Sequence, residues 1–240
     1  MPSDSPLQIS QLMLFGLGTR MYTYYGDRVP ATGSLLVVSN HRSFMDAPLL
    51  MAATQRSIRF ACHHYMGQVP VMREVVDQLG CFPLDASDQR QQSFFRKTIQ
   101  LLQTQQAVGV FPEGAEPMVK QTLPHQMGEF QRGFAHLALR VPVRDLAILP
   151  VAIAATEEAV NSAVPLRLLS FFDPSEPLFA QRGWHPMVIY RRVNLLVGRP
   201  IWISPSQRQA YQGKRAKALV TELTQQCHDD VCSLLRQGCY

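Results

Sequence analysis

The sequence predicts an α/β fold, a single domain with a mixed β-sheet flanked by helices. Three observations carry that reading. Short apolar runs ending in turn residues alternate along the chain with amphipathic stretches of helical spacing, as strands joined by crossover helices do. At 240 residues the chain has the length of one large α/β domain, and no repeat or linker divides it. Hydrophobic residues make up 46% and charged residues 17%, which excludes disorder and long coiled coil.

The elements follow in order. Residues 7–25 crowd Leu12, Met13, Leu14, Phe15, Leu17, Met21 and Tyr22 around a single charge, Arg20. The expectation is an N-terminal apolar helix within residues 1–30. It either lies on lipid, with Tyr22, Tyr24 and Tyr25 at headgroup depth, or packs on the body's own core. No run reaches the roughly 18 consecutive apolar residues of a spanning helix. The main domain is expected over residues 31–240. Leu35, Leu36, Val37 and Val38 form a buried strand that Ser39, Asn40 and His41 leave. Proline is tolerated only in a helix's first turn, so Pro48 places the next helix start near residues 44–47.

Residues 58–62 read as a second strand. Ser87 and Asp88 can cap a helix carrying Phe94, Phe95, Thr98, Leu101 and Leu102 at helical spacing. Residues 107–111 form a third strand, followed by the turn Pro112, Glu113, Gly114. Residues 130–139 are helical, with a stop at Pro142. Residues 147–153 make a fourth strand, in which Pro150 indicates an edge or a bulge. Val188, Tyr190 and residues 193–197 form another, and Gly198, Arg199 and Pro200 turn the chain into Ile201, Trp202 and Ile203. Over residues 205–237, Ala216, Leu219, Leu223, Cys227, Val231 and Leu234 recur every three or four positions, an amphipathic closing helix.

The net charge is +5, and of the 23 basic side chains only Lys97, Lys120, Lys214 and Lys217 are lysines. Arginine's planar fork suits phosphate and carboxylate, and a cationic body suits anionic membranes. No basic run or aromatic-rich motif indicates a nucleic-acid partner, and arginines dispersed over a solvated surface are the plainer reading. The 5 cysteines are an odd number without framework spacing, and no secretory signal opens the chain. A reducing, cytoplasmic setting with free thiols is expected. Gly109 to Gly114 has P-loop spacing, but Ala115 stands where lysine is required. No G-x-S-x-G elbow exists. Cys62, His63 and His64 lack a second ligand pair, so no metal site is expected.

Two motifs remain. In Asn40-His41-Arg42-Ser43-Phe44-Met45-Asp46, histidine and aspartate are five positions apart. On one continuous helix they would point about 140° apart, at roughly 100° per residue. They meet only if His41 sits in the loop and Asp46 opens the helix. Asp46 then takes a hydrogen bond from one imidazole nitrogen and leaves the other free to accept a proton. Such pairs arise by chance roughly 0.3 times in a chain of this composition, so Asp46 as a plain helix cap is the competing reading. Phe111-Pro112-Glu113-Gly114 arises roughly once in six hundred such sequences, against the alternative of an ordinary turn. Both motifs leave strand ends, where open α/β sheets bind ligands.

These residues resemble the glycerolipid O-acyltransferases, the lysophosphatidic acid acyltransferase and tafazzin-like family. Its N-H-x4-D block is matched by Asn40, His41 and Asp46, and its F-P-E-G block by Phe111, Pro112, Glu113 and Gly114. A second block is partly matched by Gly80, Phe82 and Asp85, and a fourth by Ile148, Leu149, Pro150 and Val151. Gly128-Glu129-Phe130, Gly133-Phe134-Ala135 and Val197-Gly198-Arg199-Pro200-Ile201 extend the resemblance over about residues 33–203.

The resemblance implies transfer of a fatty acyl group from acyl-CoA or acyl carrier protein to a hydroxyl of a (lyso)glycerolipid. His41 and Asp46 would be catalytic, with Phe111, Pro112, Glu113 and Gly114 binding the acceptor. The thioester is a co-substrate, and no bound cofactor is implied. Partners would be the acyl donor, the lipid acceptor and a membrane surface, on which the protein is peripheral or monotopic. The family's arginines are replaced by Ala86 and, after Ala115, by Glu116. A phosphate on the acceptor would then fall to Arg42, Arg73, Arg90 or Arg96. The alternatives are a neutral alcohol as acceptor, or a catalytically silent lipid-binding protein of the same fold.

Overall fold

The computed structural model describes residues 5–62, 70–85, 90–114, 116–119, 122–165 and 184–239. The expected cap at Ser87 and Asp88, the pair His63 and His64, and Ala86 and Ala115 lie outside these residues.

The chain runs through α1 (Ser5–Gly16), β1 (Arg20–Tyr24), β2 (Ser34–Ser39), α2 (Asp46–Thr54), β3 (Ile58–Cys62), α3 (Pro70–Gln78), β4 (Phe82–Pro83) and α4 (Arg90–Gln103). It continues through β5 (Ala107–Val110), α5 (Glu116–Val119), α6 (Gly133–Arg140), β6 (Leu146–Pro165), β7 (Trp184–Val197), β8 (Ile201–Trp202), α7 (Pro205–Ala210) and α8 (Gly213–Gly238). Among the described residues the strands make one sheet in the order β1-β7-β6-β2-β5-β3-β4, with β8 on β6. From β4 through β3, β5 and β2 to the first part of β6 the pairing is parallel. Parallel neighbours need crossovers, and the intervening helices supply them. β7 returns antiparallel along β6, and β1 closes the edge parallel to β7.

β2 lies at the centre for a reason written in its composition. Leu35 and Val37 face the core that holds α1 and α2, while Leu36 and Val38 face the core built by α6 and α8. All four are fully buried, as a strand covered on both faces must be. The closing helix α8 covers its side through Val220, Leu223, Cys227, Val231, Leu234 and Leu235.

The structure corrects three local expectations. The first concerns residues 7–25, which do not form one helix. Gly18, at φ +66°, ends α1, and the Tyr- and Thr-containing segment after it pairs as β1. The helix packs on the core through Leu7, Ile9 and Leu14, joined by Leu17 just after it, yet leaves Leu12 69% and Phe15 84% exposed.

The second concerns Pro150, which sits in an interior strand, opposite Val38 of β2. Its carbonyl accepts the Gly198 N–H at 2.8 Å, so residue 150 faces away from β2. On that side β6 changes partner, from β8 at Ile148 to β7 at Val151. The missing N–H therefore falls in the gap between two partners and costs no ladder bond.

The third concerns residues 205–237, which form two helices. α7 has a Ser204–Gln207 capping box and Pro205 in its first turn. The chain then breaks at Tyr211 and Gln212, where the Tyr211 hydroxyl meets His136 Nδ1 at 2.7 Å, before Gly213 opens α8 at φ +52°.

One glycine links sheet packing to the site. Gly109 of β5 stands opposite Phe60 of β3, and a Cβ there would lie 2.0 Å from the Phe60 ring. Gly109→Ala is expected to lower stability by about 1–3 kcal/mol, as overpacking does. Urea unfolding measures it, and an unchanged midpoint would show that the Phe60 ring can yield without cost.

Candidate active site

The two motifs meet at the carboxyl ends of β2 and β5, adjacent strands in the middle of the sheet. Asn40 makes the first tie. Its side-chain amide donates to the Ile153 carbonyl at 3.0 Å and its oxygen accepts the Ile153 N–H at 2.9 Å. The side chain thus continues the β2–β6 ladder past the point where the backbone turns away. Asn40 is 2% exposed, so both bonds are sheltered from water.

The chain then folds back on Asp46, the first residue of α2. One carboxylate oxygen, Oδ2, accepts the Arg42 N–H at 2.7 Å, the Ser43 N–H at 2.8 Å and His41 Nδ1 at 2.8 Å. His41 is in the loop and Asp46 opens the helix, the one placement in which this spacing lets them touch. The carboxylate only accepts, so Nδ1 carries a proton, and in the neutral ring Nε2 presents its lone pair. The Asp46 side chain is 1% exposed and that of His41 19%, so the imidazole is reachable from solvent and its partner is not.

Neighbouring groups hold this loop against the sheet. The Ser43 hydroxyl donates to the Val188 carbonyl of β7 at 2.6 Å and accepts the Met45 N–H at 3.1 Å. Tyr190, two residues along β7, is buried. Burial first, and then the charge of Asp46, hold its phenol well above the ordinary range. The His41 ring stacks on Phe111 at 4.0 Å between centroids and 10° between planes, and Phe111 stacks on Phe60 at 5.3 Å.

The Phe111–Gly114 turn closes with the Gly114 N–H on the Phe111 carbonyl at 3.0 Å, and Gly114 takes φ +77°. The Pro112 carbonyl accepts the Gln131 N–H at 2.9 Å. From this turn Glu113 reaches across: Oε1 accepts the His41 N–H at 3.0 Å and Oε2 the Gly128 N–H at 2.6 Å. Burial pushes the Glu113 carboxyl above its ordinary value, while the Gly128 and His41 N–H groups oppose that shift.

The four candidate phosphate-binding arginines are placed differently from one another. The Arg42 side chain is 4% exposed, and its guanidinium grips Glu158 at 2.8 Å and 2.9 Å. It also donates to the Thr122 hydroxyl at 3.2 Å and to the Thr122 carbonyl. Arg73 and Arg96 are exposed on α3 and α4, in loose ion pairs with Asp77 at 3.8 Å and Asp85 at 3.9 Å. Arg90 is the first residue of α4. Glu116 is exposed at the start of α5. Among the described residues no three His, Cys, Asp or Glu side chains cluster as a metal ion would need.

Sequence reasoning assigned no part to Asn40, Phe60, Thr122, Gly128 or Glu158. Asn40 and Gly128 stood inside the matched blocks, which was their signal. Phe60, Thr122 and Glu158 had none, because their contacts depend on strand register and on loop paths.

An open α/β sheet with two polar motifs gathered at its carboxyl end is the layout of a domain that binds and transforms a ligand there. The family is specific: the Acyltransferase family matches residues 22–154, more than half the chain, and the chain belongs to it. No curated protein matches the sequence. Among solved structures, the 1-acyl-sn-glycerophosphate (LPA) acyltransferase PlsC from Thermotoga maritima aligns with a TM-score of 0.63. Identity is 16%, with 97% of this chain and 77% of that one covered, so the likeness is one of fold.

Asn40→Asp keeps the side-chain shape and one acceptor but removes the donor to Ile153. It is expected to cost about 1–3 kcal/mol, since a buried carbonyl loses its partner. Thermal or urea unfolding checks this, and wild-type stability would show that the ladder extension carries nothing.

Proposed function

We propose that this protein transfers a fatty acyl group from a thioester, acyl-CoA or acyl carrier protein, to a hydroxyl of a glycerolipid, with His41 as general base. The observation that carries the reading is the 2.8 Å bond from His41 Nδ1 to a carboxylate that two backbone N–H groups already fix. Nε2 takes the hydroxyl proton as the oxygen attacks the thioester carbonyl carbon. The tetrahedral oxyanion collapses, the C–S bond breaks, and the thiolate leaves, alone or with the proton held on the imidazolium. Asp46 keeps the ring in the required tautomer and stabilises its cation.

The acceptor reading follows from charge. Arg42 is committed to Glu158, and Arg73 and Arg96 face carboxylates on the surface. With Arg42 so held, and with Ala86 and Glu116 standing where the family resemblance implies arginines, the charges favour a neutral alcohol, such as a mono- or diacylglycerol, over an acceptor bearing a phosphate dianion. The test is a panel of radiolabelled acyl-CoA with lysophosphatidic acid, lysophospholipids and neutral glycerolipids, on wild type and His41→Ala. Wild type is expected to prefer the neutral acceptors. His41→Ala is expected to lose about 10²–10⁴ in rate while remaining folded. Near-wild-type turnover by the variant would remove His41 from the mechanism, and preference for lysophosphatidic acid would reverse the acceptor reading.

The same proposal places the protein at a membrane surface. No helix among the described residues is long and apolar enough to cross a membrane. Leu12 and Phe15 of α1 are nevertheless exposed, as are Tyr22 and Tyr24 of the edge strand β1 and Tyr25 just after it. Apolar and aromatic side chains in that setting suit the headgroup boundary. Replacing Leu12 and Phe15 together by serine is expected to reduce flotation with anionic vesicles several-fold without lowering stability, since neither side chain is buried. Unchanged flotation would show that lipid does not bind through α1.

A further inference from the structure

Glu113 belongs to the turn that the family resemblance assigns to the acceptor. Its carboxylate, however, is occupied at both oxygens by backbone donors from two separate segments, His41 at 3.0 Å and Gly128 at 2.6 Å. A carboxylate oxygen keeps further lone pairs, but these bonds fix where each oxygen sits and how the side chain is turned. We propose that Glu113 is a positioning residue, one that holds His41 and the chain around Gly128 in place and does not recognise the acceptor. The inference rests on the acyltransferase reading for its kinetic consequence, and on geometry alone for its structural one.

The local structure explains how a short loop sustains this tie. The Phe111–Gly114 turn is closed by its own hydrogen bond and anchored on its far side by the Gln131 N–H. The Glu113 backbone therefore cannot drift as its side chain reaches out. At the receiving end, a Cβ on Gly128 would lie 3.4 Å from Glu113 Oε2, ordinary contact, so the tie depends on the Gly128 N–H and not on the missing side chain. Residue 122, six positions earlier, is held from the other side, because Arg42 donates to both the hydroxyl and the carbonyl of Thr122. The segment from 122 to 128 is thus fastened at both ends. Each fastening comes from a charged residue that the sequence had offered as an acceptor contact. At the His41 end, the bond orients the peptide that carries the imidazole, while Asp46 orients the ring itself. Two carboxylates divide the task, one gripping the backbone of His41 and the other its side chain.

The test uses the full chain and two readouts. Glu113→Gln keeps the side-chain shape but offers one acceptor where two are needed, turning an N–H₂ toward an N–H. Hydrogen exchange at the His41 and Gly128 amides, followed by NMR, is expected to speed up at least tenfold at one or both positions. kcat is expected to fall about 10- to 100-fold, in keeping with a small displacement of a reacting group, with acceptor KM within about twofold of wild type.

Unchanged exchange, or a raised acceptor KM with kcat preserved, would overturn the proposal and return Glu113 to acceptor binding. If wild type transfers no acyl group to any acceptor, the functional reading falls, while the exchange result still decides the structural tie. Should Glu113→Gln fail to fold, Gly128→Pro removes one donor and leaves the carboxylate intact. Faster exchange at the His41 amide with reduced kcat is expected there too, and no change in either would count against the proposal.

Discussion

A single oxygen atom organises the carboxyl end of this sheet. Asp46 Oδ2 receives three N–H groups, from the backbone of Arg42, the backbone of Ser43 and the imidazole of His41. A buried carboxylate is tolerable only when such donors replace its water, and charge-assisted bonds of this kind are the strong ones. The position adds to the effect, because Asp46 is the first residue of α2 and its charge faces the positive end of the helix. One side chain thereby starts a helix, shapes a loop and orients a ring. Pro48 fits the same scheme, since it can occupy only the first turn that Asp46 begins.

From that anchor the other contacts follow as consequences of direction. With the Arg42 and Ser43 amides turned inward to Asp46, their side chains point elsewhere. Arg42 runs to Glu158 on β6 and to Thr122, and Ser43 to Val188 on β7. Asn40, one residue ahead of His41, binds β6 through Ile153. These neighbouring residues therefore tie the loop to β6, to β7 and to the segment at Thr122. Each bond contributes about 0.5–1.5 kcal/mol net, or up to about 3 kcal/mol where a charge takes part. Their combined effect is less a large stability than a loop with one conformation, which is what the proposed base would require.

The sequence was most legible where the physics is local. The fully apolar β2, the helix start forced by Pro48 and the turn around Gly114 each need only a few neighbouring residues to be understood. It was least legible where a distant partner decides. Residues 20–24 share the apolar character of the preceding helix, yet they become a strand because β7 offers an edge and Gly18 releases the chain. Pro150 looked like an edge or bulge residue, and the partner change from β8 to β7 accommodates it inside the sheet. Arg42 looked free for a ligand, while its true partner, Glu158, lies 116 positions away on a strand whose register no local pattern reveals. The pairing of His41 with Asp46 was readable as a geometric condition, whereas the second carboxylate on the His41 backbone was not.

The stack of His41 on Phe111 has a consequence for the direction of approach. With ring centroids 4.0 Å apart and planes 10° from parallel, one face of the imidazole is covered by another ring. One edge is taken by Asp46. A proton travels to nitrogen in the ring plane, along its lone pair, so neither the covered face nor the Asp46 edge can receive it. Under the proposed role of His41, the molecule that gives up its proton comes in edge-on, past Phe111 and not over it. Phe111 in turn stacks on Phe60, which is 2% exposed and lies over Gly109, so the covered face of the imidazole is backed by the interior of the sheet and not by solvent.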